Sequence, residues 1–337
     1  MNKKDTKVRP SVRSLAKTTG FSVATISRVI NRSETVAKNT REQVQKAMQE
    51  AGYMPHPAAR ALATKRTKTI GVLVPIVSQS IFARFLDALE VELALHGYSL
   101  NIATTNFDNN LESERGKELI KMGAEALIFS GANQNRDLLN LLSDTNTPAV
   151  CSSIHYSEYG LPTIGYDNKE IAFSALKYLS SIGHKDVAVI HGPIDNNDRT
   201  KLRILGVHNA AETFNLNIDF YPTELEIKGG VKAAKQISKN SKKITAIFCL
   251  SDILALGVMF ESIRNGLRIP EDFSLMGCDN LDWSSLCYPT LTTIRLPTKR
   301  MGQKIAQSLI SKLDNDIDIK STLFKAKLLE RESTARL

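Results

Sequence analysis

No stretch of this 337-residue chain supplies the roughly 18 consecutive apolar residues of a membrane-spanning helix. No apolar core follows the opening MNKKDTKVRP, as an export signal would require. These absences predict a cytoplasmic protein. Cysteine is scarce: Cys151, Cys249, Cys278 and Cys287 lie far apart, without C-x-x-C spacing, and three stand beside hydrophobic runs. Buried reduced thiols are expected rather than disulfides or metal ligands. The six histidines show no ligand spacing, and GxSxG, HExxH, GxxxxGKS/T and GxGxxG motifs are missing. Neither an enzyme nor a metal or cofactor is expected. Asp252 and Asp279 imitate a catalytic carboxylate pair, yet hydrogen-bonding a ligand hydroxyl is the simpler role.

What is present is an uneven charge. Residues 1–66 carry 14 Lys and Arg against 4 Asp and Glu, and the rest of the chain carries 30 against 31, so the whole formal excess of +9 lies in the first fifth. A basic module joined to a neutral body is expected to meet a polyanion, because each neutralised phosphate releases counterions. The helices of this module lack the bulky apolar stripe of an interfacial membrane binder, which leaves nucleic acid. The length suggests two or three domains.

In the basic head, SVRSLAKTTG reads as a short helix capped by Ser11 and stopped by Gly20; FSVATISRVIN reads as a second helix capped by Ser22, with Ile26 and Val29 turned inward. That is helix-turn-helix spacing, which places the second helix in a major groove. Val23 and Ala24 then meet thymine methyls, Arg28 pairs with guanine O6 and N7, and Thr25, Ser27 and Asn31 serve phosphates or the turn. Lys17 and Arg32 are further phosphate candidates. An ordinary amphipathic hairpin with a solvated polar face fits the same spacing, and the local charge favours DNA. A third helix follows in TREQVQKAMQEAGY, with Val44, Ala47, Met48 and Ala51 on one face. Beyond Pro55 and Pro57, residues 58–63 form a helical segment too short to persist alone.

From Thr69 onward short apolar runs (TIGVLVP, SLNIATT, ALIFS, PAVCSS, DVAVIHG, TAIFCL, FSLMG) alternate with helical periods, which predicts two doubly wound parallel sheets. Ligands of such sheets bind beyond the carboxyl ends of the strands. The polar candidates there are Ser78, Gln79, Ser152, Ser153, Tyr166, Asp167, Asn168, Asp195, Asn197, Asp198, Arg199, Ser251, Asp252, Asp279 and Asn280, with Arg203 just beyond one such loop.

SVRSLAKTTGFSVATISRVIN, TREQVQKAMQEAGYMPHPAARAL, TKTIGVLVP, GYDN, IGHKDVAVIHGP, TAIFCLSDILALG, GLRIPEDFSLMGCDN, PTLTTIRLP and LLERESTA together resemble LacI/GalR-type bacterial transcriptional regulators over nearly the whole chain. The resemblance implies an N-terminal all-α helix-turn-helix domain at 1–54, a hinge helix and linker at 55–68, and a two-lobed periplasmic-binding-protein-like α/β body. Its N-terminal lobe would take 69–166 with 297–323, and its C-terminal lobe 167–296 with 324–337. It implies a homodimer on a near-palindromic operator, with Val23, Ala24 and Arg28 reading bases in a head similar to the galactose-repressor type. Ala59 and Leu62 would enter the minor groove, Leu62 as a wedge. His56 stands where the family usually has Asn, and Ala37 where it often has a capping Ser. The effector positions fall on Phe82, Ser153, Arg203, Ser251 and Asp279, with Leu225 in place of an aromatic platform; Arg199 and Asp252 join them from the strand ends. Ser251 replaces a common Asn, so without the platform and that amide the site is less like a neutral-hexose pocket; Arg84, Arg199 and Arg203 leave room for an anionic metabolite, and a sugar, sugar acid or sugar phosphate is expected. The implied function is a repressor released by its effector, with a corepressor-dependent regulator or a solute-binding transport component as alternatives. No heptad repeat is seen near the last residues, which predicts a dimer rather than a tetramer.

Overall fold

The computed structural model describes residues 10–31, 35–155, 160–240 and 243–337. Two compact units divide the chain, Met1–Lys68 and Thr69–Leu337. Arg32 lies outside the described residues.

Among the described residues the first unit holds the α-helices α1 (Val12–Thr19), α2 (Val23–Asn31), α3 (Lys38–Glu50) and α4 (Pro57–Thr64). Ser11 and Ser14 form a reciprocal capping box at the start of α1, and Gly20 ends that helix in the left-handed conformation at φ 74°. The Ser22 hydroxyl accepts from the Thr25 N–H at 3.1 Å and so caps α2. Leu15, Ile26, Val29, Val44 and Ala47 close a small core, with Phe21, Val36, Met48 and Tyr53 packed around it. Ala51, expected on the apolar face of α3, is exposed because the helix ends at Glu50 and Ala51 serves as its C-cap. Ala37 offers α3 no side-chain cap. In α4 no described side chain is fully buried.

Among the described residues the second unit contains two six-stranded sheets. The first uses β1 (Thr69–Val74), β2 (Ser99–Thr104), β3 (Ala126–Ser130), β4 (Ala149–Ser152), β5 (Thr163–Gly165) and β11 (Thr322–Leu323), in the order β11-β5-β4-β3-β1-β2. The second uses β6 (Asp186–His191), β7 (Asn217–Pro222), β8 (Ala246–Cys249), β9 (Ser274–Asp279), β10 (Thr292–Arg295) and β12 (Lys327–Leu329), in the order β12-β10-β9-β8-β6-β7. The helices between them are α5 (Ser80–Leu95), α6 (Asn109–Lys121), α7 (Arg136–Asp144), α8 (Asn168–Ser181), α9 (Asp198–Phe214), α10 (Ile227–Lys239), α11 (Asp252–Arg264) and α12 (Thr298–Asn315). The central strands are buried along nearly their whole length, as helices on both faces require.

The chain passes between the sheets three times, after β5, after β10 and after β11. The sheets are not wholly parallel: β12 runs antiparallel to β10. Such short pieces as β5, β11 and β12 carry too few residues for a periodicity, and β7 is an edge strand of intermediate burial, NIDFYP, with no apolar run. No helix among the described residues is long and apolar enough to cross a membrane.

Candidate functional site

Helix α2 has two unlike faces. Ile26 and Val29 are buried, while Val23 is 48% exposed and Ala24 and Arg28 face outward. Arg28 has no ion-pair partner among the described residues. The polar neighbours are engaged locally: Thr25 Oγ1 lies 2.9 Å from the Ser22 hydroxyl, and Asn31 Nδ2 donates to Ser27 Oγ at 3.3 Å. The unengaged part of the face is therefore a small apolar step beside one guanidinium. Lys17 is exposed in the last turn of α1. On α4, Ala59 is exposed and Leu62 is 85% exposed, unusual for a leucine.

In the second unit the carboxyl ends of the two sheets face one cavity of about 70 Å³. Among the residues lining it, Gln79, Ile81, Phe82, Phe107, Ser153, Tyr166 and Thr298 come from the segments of the first sheet and its helices. Asn197, Arg199, Thr200, Arg203, Leu225, Ser251 and Asp279 come from the other side. Arg203 donates from Nε to Asn168 Oδ1 at 3.0 Å and from Nη1 to the Leu250 carbonyl at 2.6 Å. Asn168 in turn donates to the Ser153 carbonyl at 2.9 Å, tying the two halves of the wall. The Ser251 hydroxyl donates to Asp279 Oδ2 at 2.7 Å. Burial pushes the Asp279 carboxyl up to about 7, with Arg203 opposing and Asp252 adding to the rise.

Phe82, Ser153, Arg199, Arg203, Ser251 and Asp279 thus meet around one space. Asp252 does not join them. It is fully buried: Oδ1 accepts from the Thr293 hydroxyl at 2.6 Å, and Oδ2 accepts from the Leu281 N–H at 2.9 Å and the Ser284 hydroxyl at 2.6 Å. Its carboxylate organises the chain after β9 and is screened from the cavity.

Three other strand-end candidates are solvent-facing, and of these Asp167 is a helix cap, accepting from the N–H groups of Lys169 and Glu170 at 2.9 and 3.0 Å. Asp195 is exposed, and Ser78, also exposed, lines a groove that shares Gln79, Leu225, Ser251 and Asp279 with the cavity. Asn280 Oδ1 accepts from Arg331 at 2.7 Å, away from the cavity. Phe107 and Thr298 are lining residues that the pattern did not suggest. Phe107 holds φ 60°, a backbone region disfavoured for a phenylalanine and invisible to periodicity.

The three arginines differ in availability. Arg84 spans from the first side to the second, donating to the Asn280 carbonyl at 2.6 Å and pairing with Asp282. Arg199 donates to the Ser130 carbonyl at 2.5 Å and pairs with Asp198 at 3.0 Å. Arg203 is held by the Asn168 and Leu250 oxygens, with the Tyr166 hydroxyl and the buried carboxyl of Asp279 beside it.

Residues 11–56 match the sequence model of bacterial regulatory proteins of the lacI family, and residues 176–334 match that of a periplasmic binding protein-like domain. The HTH-type transcriptional repressor CytR of Escherichia coli K12 is 30% identical over 342 aligned positions, covering 100% of both chains. The chain belongs to the LacI family. It is a DNA-binding transcriptional regulator with an effector-type body, and its relatives are regulators of the same kind. The HTH-type transcriptional regulator RegA of Clostridium saccharobutylicum is 28% identical over 96% of this chain and 99% of its own. Among solved structures, a LacI family regulator of Enterococcus faecium with bound ribose matches with a TM-score of 0.73 at 25% identity, over 80% of this chain and 99% of that one. A lac repressor dimer bound to operator and an anti-inducer has the same fold, with a TM-score of 0.86 at 23% identity, over 97% of this chain and 100% of that one.

Proposed function

We propose that this LacI family member reads its operator through Val23, Ala24 and Arg28, and that a neutral, hydroxyl-bearing ligand of sugar type, held between the lobes, controls that binding. The observation that carries the first half is the unengaged face of α2 above a closed three-helix core. Thr25, Ser27 and Asn31 support this face through local hydrogen bonds and phosphate contact, and Ala59 and Leu62 enter the minor groove. Two copies pair, one recognition helix per half-site. Exposed Val91 and Leu95 on α5 and Phe260 and Ile263 on α11 supply apolar surface for pairing. A DNA-reading head fits a cytoplasmic protein.

The neutral ligand follows from the charges. Arg84 and Arg199 are each satisfied by a protein carbonyl and a carboxylate, and Arg203 is held by the Asn168 side-chain oxygen and the Leu250 carbonyl beside the Asp279 carboxyl. Arg203 is then the cavity cation without a carboxylate ion pair among the described residues, and the Asp279 carboxyl beside it opposes the entry of an anion. The donors and acceptors of Arg203, Asp279, Ser251, Asn197 and Gln79 suit hydroxyl groups, and Phe82, Phe107 and Leu225 suit the apolar face of a ring. The ligand leaves as it entered, since the site holds a carboxyl for hydrogen bonding rather than an activated nucleophile.

The test selects a binding duplex from a random pool and titrates the complex with ribose, cellobiose, gluconate and ribose 5-phosphate. A shift by a neutral sugar, recovered unchanged, is expected. A response confined to the acid or the phosphate would overturn the charge argument.

A further inference from the structure

Arg199 lines the cavity, yet its bonds point elsewhere. Asp198 and Arg199 open α9, on the second-sheet side, and both reach the loop that follows β3 on the first-sheet side. Arg199 Nη1 donates to the Ser130 carbonyl at 2.5 Å, and Asp198 Oδ2 accepts from the Ala132 N–H at 2.6 Å. The two side chains are paired at 3.0 Å, and both are largely buried. Gly131 sits between the two bonds with φ +94°, and a Cβ there would run into Arg199 Nη1 and Asp198 Oδ1. A left-handed glycine thus admits a charged pair from the opposite lobe against bare backbone. Asp198 does not line the cavity.

We propose that Asp198 and Arg199 are positioning residues that clasp the two lobes through the Ser130–Ala132 backbone, so that they set operator affinity through lobe geometry without needing to touch the effector. Charge-assisted hydrogen bonds are worth more than neutral ones, and these are shielded from water, so the clasp weights one lobe arrangement over others. Whatever arrangement the hinges need, the clasp biases the population that has it, and effector binding works against or with the same bias. The proposal rests on the reading of the body as a switch for the head; it does not depend on which ligand the cavity takes.

The test needs no effector. Operator affinity of the full chain is measured on the selected duplex for Asp198→Ala, Arg199→Ala, Gly131→Ala and Asp198→Asn, with hydrogen exchange followed over residues 126–135 and 195–200. The first three variants are expected to move operator affinity in the same direction by at least about threefold. They should also speed exchange in both segments while the rest of the body keeps its protection. Asp198→Asn keeps one acceptor, for the Ala132 N–H, and loses the charge and the Oδ1 acceptor of the Arg199 N–H groups, so it should shift less than Asp198→Ala, which loses all of them. Should Gly131→Ala fail to fold, as its φ allows, the graded Asp198 pair still decides the matter. Parental operator affinity and exchange in Asp198→Ala and Asp198→Asn would overturn the clasp. If no sugar in the panel displaces the parent from its duplex, the effector reading fails on its own and these comparisons still stand.

Discussion

Truncating Leu62 should separate DNA recognition from folding. Its side chain is 85% exposed in the free chain, so it contributes little to the packing of the head. Burying a whole leucine side chain is worth about 1.5–3 kcal/mol, and alanine retains only the first carbon of it. If Leu62 inserts between base pairs, Leu62→Ala should lose about 1–2 kcal/mol per protomer, or roughly 30-fold to several hundred-fold in operator affinity for a dimer. The melting temperature of the free protein should barely move, because alanine is at least as good a helix former as leucine in α4. The contrast is Leu15, 1% exposed in the core of the head, where truncation should cost about 2–5 kcal/mol of fold stability. The assay is fluorescence anisotropy on the selected duplex across a salt series, with thermal unfolding alongside. The salt slope should stay parental, since leucine neutralises no phosphate. Binding within about threefold of the parent, or a large drop in melting temperature, would refute the wedge.

Arg28→Ala should cost about 1–3 kcal/mol on the selected duplex and relax preference at one position per half-site, read by repeating the selection with the variant. Lys17→Ala should instead weaken all sequences alike and flatten the salt dependence by about one charge. Arg203→Met leaves Asn168 Oδ1, the Leu250 carbonyl and Asp279 without their cation; calorimetry should show loss of sugar binding with operator binding retained. Glu112, buried on α6, is pushed up from 4.5 to about 7 by burial, against the pull of Arg199 and with Asp198 adding to the rise. A carboxyl raised on folding stabilises fully below its unfolded value and loses that contribution as pH rises toward the folded one, here by about 3 kcal/mol between pH 4.5 and 7. Urea unfolding of Glu112→Gln should show a shallower fall than the parent over that window, and parallel curves would show that Glu112 is not the titrating group.

Local rules made the head readable in advance. Ser11, Gly20 and Ser22 act on neighbours three or four positions away, so their caps and turn follow from composition and spacing alone. The same holds for the inward Ile26 and Val29, whose burial is a matter of helical period. The buried strands announced themselves as apolar runs, whereas β5, β11 and β12 become strands only because a neighbouring edge pairs with them. Cavity residues were legible as strand ends, but only as a class. Asp252 and Asp279 both stand near the carboxyl ends of consecutive strands, and nothing local says that one turns to Thr293, Leu281 and Ser284 while the other faces the cavity.

The amino-acid order by itself determined a basic three-helix head, a short exposed hinge and an alternating α/β body, because caps, periods and charge excess act over a few residues. Only the tertiary structure decided the fate of the charges. Arg84 meets a carbonyl 196 positions away and Arg199 one 69 positions away. Whether an arginine is free for a ligand or spent on a backbone carbonyl depends on which distant chain segment the sheets bring beside it. That is a property of two packed lobes, and no window of sequence contains both partners.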